Sequence, residues 1–182
     1  MRHMIIALLI AMAPLTTKAG ALERQFGGGY EGVIWGASLA ELVQLRPGGE
    51  HFFAAVGGVR EYGLLDERSM FGITRGQMRA HYFLDDTNSV VSVGLTFPFD
   101  HRQKLLGALV LSFGPYARTV VKGITTSYLW PRDDGIGLSL RETIDPSFVI
   151  LELAISGPNS DLQKKDPCVC EKPLPVKEKS RP

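Results

Sequence analysis

Residues 77–97 read QMRAHYFLDDTNSVVSVGLTF, and this stretch decides the fold class. Gln77–Leu84 and Ser89–Phe97 are rich in β-branched and aromatic residues, and Asp85-Asp86-Thr87-Asn88 between them is a cluster of turn formers, so the pair predicts a hairpin. A spacing of two puts Val91, Val93, Leu95 and Phe97 on one face, with Ser92, Gly94 and Thr96 on the other. The apolar face requires a covering layer. Directly downstream, Leu105, Leu106, Leu109, Val110 and Phe113 recur at helical spacing, with Asp100 as N-cap and Gly114-Pro115 as stop.

Toward the C-terminus, Ile124–Trp130, Gly135–Arg141 and Ser147–Ile155 read as three further strands joined by turns rich in Asp and Pro. Toward the N-terminus, Ala21–Gly29 reads as a flexible lead-in and Tyr30–Trp35 as a strand. Ser38-Leu39-Ala40-Glu41 is a capping box that opens a short helix, Leu39–Leu45, stopped by Arg46-Pro47-Gly48-Gly49. Short strands are expected between His51 and Arg75. Strands joined by tight turns, with few helices, imply an α+β fold: an antiparallel sheet of about five to seven strands with one short and one longer helix packed on one face.

The chain has 182 residues, 45% of them hydrophobic and 21% charged, which suits one folded domain. Residues 1–21 read as a cleaved signal peptide. Arg2 and His3 are the basic start, Met4–Leu15 the apolar run, and Thr17-Lys18-Ala19 or Ala19-Gly20-Ala21 the small-residue cleavage site. The run is shorter than the roughly 20 apolar residues of a membrane span, so a periplasmic or secreted protein with no transmembrane segment after signal removal is expected. The domain then occupies 22–156, and 157–182 is a Pro- and Lys-rich tail expected to be disordered, containing Cys168-Val169-Cys170. Without the signal segment, 18 basic residues face 19 acidic ones, a balance that argues against a nucleic-acid partner.

Gly32-Val33-Ile34-Trp35-Gly36 before a capped helix, Phe113-Gly114-Pro115 at the end of the second helix and Thr126-Ser127-Tyr128-Leu129-Trp130 resemble a pattern of small exported bacterial proteins of unknown function. The resemblance runs in order from Tyr30 to Ile155, with Phe52–Arg75 departing from it. It implies an exported α+β domain and carries no activity.

Candidate chemistry is sparse. His51, His81 and His101 fall on three different elements, without the i, i+4 spacing of a helical metal site. Asp85-Asp86 and Asp133-Asp134 sit in turns, where carboxylates serve turn geometry. Ser139 lacks a nucleophile elbow and Gly27-Gly28-Gly29 lacks the form of a phosphate loop. Arg60-Glu61, Glu67-Arg68 and Arg141-Glu142 read as surface ion pairs. Cys168 and Cys170 could close a strained disulfide in an oxidising compartment, with a redox-linked, metal-capturing or inert role left open. Trp130, Tyr128 and Tyr82 are candidates for a binding surface, against a core role. No cofactor, metal or catalytic set is expected. The reading is a non-enzymatic exported module that binds an envelope protein or a small ligand. The alternative is a hydrolase-type enzyme whose site, built from distant residues, draws on His81, His51 and the turn aspartates.

Overall fold

The computed structural model describes residues 20–54, 59–74, 79–158 and 160. The signal segment up to residue 19 and the Cys168–Cys170 pair lie outside these residues. Among these residues three α-helices, α1 (Ala21–Phe26), α2 (Leu39–Leu45) and α3 (Arg102–Phe113), accompany ten strands. The strands are β1 (Glu50–Ala54), β2 (Val59–Leu65), β3 (Ser69–Met70), β4 (Ile73–Thr74), β5 (Arg79–Leu84), β6 (Val90–Phe97), β7 (Arg118–Lys122), β8 (Thr125–Leu129), β9 (Gly137–Asp145) and β10 (Phe148–Ser156). Eight of them form one sheet in the order β1-β2-β5-β6-β10-β9-β8-β7, and β3 and β4 form a separate ribbon. Every pairing is antiparallel.

The sheet thus has more strands than the expected five to seven. The hairpin of residues 77–97 stands at its centre, with Tyr82 opposite Val93 and Ala80 opposite Leu95. One correction lies inside it. A bulge between Phe83 and Leu84 pairs Leu84 with Val90, so the extra residue Val91 drops out of the alternation and Val90 takes the core position.

Inward residues of six of the eight strands, β2, β5, β6, β8, β9 and β10, alternate with outward ones, as the pleat requires. Tyr62, Leu64, Tyr82, Val93, Leu95, Leu153, Leu140 and Tyr128 share one buried cluster with Leu22 and Phe26 of α1, Leu42 of α2 and Leu105, Leu109 and Phe113 of α3. All three helices therefore cover the same face. Each fully buried leucine in this layer contributes about 1.5–3 kcal/mol relative to exposure. Ser38 caps α2 through both halves of the capping box, as its sequence dictates, and Gly114 ends α3.

Four local expectations are replaced. Ala21–Phe26 is a helix instead of a flexible lead-in, because Ala21, Leu22 and Phe26 are buried and the Leu22 amide donates to Asp133 Oδ2 at 3.0 Å. Tyr30–Trp35 makes a tight turn in which Tyr30 bridges Val33, with Glu31 and Gly32 at positive φ, instead of a strand. A 3-10 turn over Phe99–His101 precedes α3, so Asp100 is not its N-cap. Arg118–Lys122 is an edge strand absent from the sequence reading.

Candidate functional site

Among the described residues no helix packs on the outer face of the sheet. The registers place Gly63, His81, Gly94, Ala154 and Ser139 in one row across five adjacent strands. Its small members form a floor. A Cβ on Gly94 would lie 2.3 Å from Glu152 Oε1 and 3.2 Å from Phe83 Cε2, so these side chains lean over bare backbone. Gly63 shows the same arrangement, with Glu61 Oε1, Arg79 Nη1 and His81 Nδ1 all 3.5–3.6 Å from where its Cβ would stand.

Charged groups of both signs rim this floor. His81 Nδ1 and Glu61 Oε1 are 2.5 Å apart, each side chain about one-quarter exposed. Arg79 Nη1 lies 3.6 Å from Glu50 Oε2, and Arg141 Nη1 lies 3.8 Å from Glu152 Oε2. Apolar side chains frame the ends of the face, with Phe52, Leu65, Phe148 and Ile150 all exposed. Cross-strand register makes these contacts. Neighbours on a strand point to opposite faces, so Glu61 meets His81 and not Arg60, whose guanidinium instead donates to Asn88 Oδ1 at 2.7 Å.

The remaining pairs drawn between sequence neighbours are also replaced, Arg141-Glu142 by the same rule and Glu67-Arg68 in the loop between β2 and β3. Glu142 is buried on the inner face, where it accepts from Arg102 Nε at 2.5 Å, while Arg102 Nη2 donates to the Tyr128 hydroxyl at 2.8 Å. The hydrogen bond to Glu142 holds the Arg102 guanidinium above its ordinary basicity. Arg68 pairs with buried Asp66 at 2.8 Å and with Glu31, not with Glu67. Asp66 also lies 3.7 Å from Arg46 Nη2.

The three aromatic residues considered for a binding surface are core residues. Trp130 is buried and donates its indole N–H to Gly114 O at 2.8 Å. Tyr128 is buried beneath Tyr116. Tyr82 is fully buried, its hydroxyl accepts from Arg46 Nη1 at 3.1 Å, and burial pushes that hydroxyl up to about 12. Of the histidines, His51 lies exposed on edge strand β1 and His101 ends the 3-10 turn. Of the acidic pairs, Asp133 caps α1 from a distant turn and Asp85 stabilises its own turn. Ser139 is buried on the floor of the outer face. Among the described residues no group of three or more His, Cys, Asp or Glu side chains could hold a metal ion. None of the helices there is long and apolar enough to cross a membrane.

Neither family models nor curated proteins match this chain. A similar solved structure is the crystal structure of a DUF4309 family protein, YjgB, from Bacillus subtilis subsp. subtilis str. 168. It is 12% identical, with a TM-score of 0.46, over 75% of this chain and 90% of that one.

Proposed function

We propose that this chain is an exported binding module, and that it engages an envelope protein or ligand through the outer face of its sheet. The observation that carries the reading is the row Gly63, His81, Gly94, Ala154 and Ser139. Gly94, Ala154 and Ser139 are consecutive in the row, with Gly63 beyond His81, and among the described residues no helix covers them, so a partner can seat against this low floor where the flexible ends of Glu152 and Phe83 give way. Charges of both signs around the row offer directional contacts, and exposed Phe52, Leu65, Phe148 and Ile150 offer area to bury at the ends.

Ala154→Trp fills the middle of the row, and Leu111→Trp marks the opposite, helix-covered side, where Leu111 is 77% exposed. With each variant expressed from its native locus and checked for folding, size-exclusion of envelope extracts should show the high-mass complex lost in A154W and kept in L111W. Equal behaviour of the two variants contradicts the reading.

One observation favours the alternative of a hydrolase, the His81–Glu61 pair, because a carboxylate on one ring nitrogen orients an imidazole for base catalysis. Among the described residues no hydroxyl is hydrogen-bonded to the other ring nitrogen, and the pair stands on an open face. Ester hydrolysis that is abolished by His81→Ala, and retained in A154W, would support that reading over the binding module.

A further inference from the structure

The bulge that removes Val91 from the core opens onto a cavity of about 160 Å3, lined by Trp35, Gly36, Asp85, Ser89, Val90, Val91 and Gly157. We propose that this cavity binds a small organic cation, an alkylammonium or guanidinium head on a short apolar body, with Asp85 as its counter-ion and Trp35 as its aromatic wall. The site is separate from the outer-face reading and does not depend on it.

Size comes first. A cavity of about 150 Å3 holds a benzene-sized molecule, so this one suits roughly six to eight heavy atoms. Its walls are built in advance. Gly36 N donates to Val90 O, Val90 N to Ala37 O and Gly157 N to Val91 O, each at 2.8 Å, which pins three separate segments to the bulge. Two glycines are required by this construction. Gly36 has φ +88, and a Cβ on Gly157 would stand 2.7 Å from the Trp35 indole, so the ring lies against bare backbone. The indole is held in place by its N–H, which donates to Phe26 O at 2.7 Å.

Charge decides the ligand class. Asp85 is the ionisable residue in the lining. Its Oδ1 accepts from the Thr87 amide at 2.8 Å, the Thr87 hydroxyl at 2.7 Å and the Ser89 amide at 2.9 Å. These three donors fix the carboxylate, and its Oδ2 receives no hydrogen bond from the described residues. The nearby cation Arg60 is engaged with Asp86 O and Asn88 Oδ1. A fixed carboxylate with one oxygen unused, beside an indole and two valines, recognises a cation that carries an apolar body.

Two sources share that chemistry, a free amine and a lysine or arginine side chain. Calorimetry on the mature protein would use butylammonium chloride, its neutral isostere n-butanol and a Gly-Lys-Gly peptide, with the indole N–H resonance of Trp35, identified through Trp35→Phe, followed in parallel. We expect saturable binding of butylammonium that moves the Trp35 resonance and leaves that of Trp130 in place. Asp85→Asn keeps the Oδ1 acceptor while removing the charge, and should weaken binding at least about tenfold. A peptide that binds about tenfold tighter than butylammonium assigns the site to a partner's side chain, and the reverse order assigns it to a free amine. Butanol binding as well as butylammonium, no effect of D85N, or an unmoved Trp35 resonance overturns the proposal.

Discussion

At the residue scale, the inner face depends on one ion pair and the β5–β6 turn on one carboxylate. Arg102 neutralises Glu142, which is 4% exposed, so Arg102→Ala leaves a buried carboxylate without its cation. Urea denaturation should find that variant destabilised by about 2–4 kcal/mol, and Arg102→Lys by less. Burial pushes the Asp85 carboxyl up, but hydrogen bonds from the Thr87 side chain and the Ser89 and Thr87 amides outweigh it and hold the group below its ordinary value. A depressed carboxyl contributes stability above its unfolded value, near 3.8, and loses it as pH falls through the lower folded value. Thermal melts should therefore show wild type more stable than Asp85→Asn at pH 6, with the gap closing as the pH falls below the ordinary carboxylate value. A gap constant with pH would mean that the charge contributes nothing to the turn. His81 was legible as a polar residue on a strand, but its partner was not, because Glu61 is brought to it by register across two strands.

At the element scale, the bounds of helix α2 were readable because its cap and stop are local, although Leu42 alone of its apolar residues is fully buried and Val43 and Leu45 are exposed. Ser38→Ala should cost about 1 kcal/mol by the same denaturation measurement, since it removes the hydroxyl that accepts from Glu41 N and leaves only the half of the capping box in which the Glu41 carboxylate accepts from Ser38 N. Central strands were readable for a similar reason: β5, β6 and β10 carry their alternation within themselves. What escaped depends on distant partners. Helix α1 is capped by Asp133, whose Oδ2 accepts from Leu22 N and Glu23 N across more than a hundred residues. Strand β7, Arg-Thr-Val-Val-Lys, is exposed along most of its length and shows no period of two. Tyr30–Trp35 has the aromatic and β-branched composition of a strand, but Gly32 and Gly36 at positive φ turn the backbone away from one.

At the scale of the whole molecule, one layer of helices covers one face of eight strands, and among the described residues no helix covers the other. On the proposal that the chain is exported, the burial of Ala21 and Leu22 separates the two candidate cleavage sites. Cutting after Ala19 keeps Gly20, whose carbonyl accepts from Arg24 N at 3.0 Å, whereas cutting after Ala21 removes the start of α1. Intact-mass analysis of the exported protein should give a chain that begins at Gly20; one beginning at Leu22 would show that α1 does not constrain processing. Photo-crosslinking in living cells decides whether the open face is where this protein meets its partner, as proposed. A photoreactive amino acid at Ala154 should give one discrete adduct, and the same group at Leu111, on the solvent side of α3, should give none. Adducts of equal yield from both positions, or from Leu111 alone, would contradict the account.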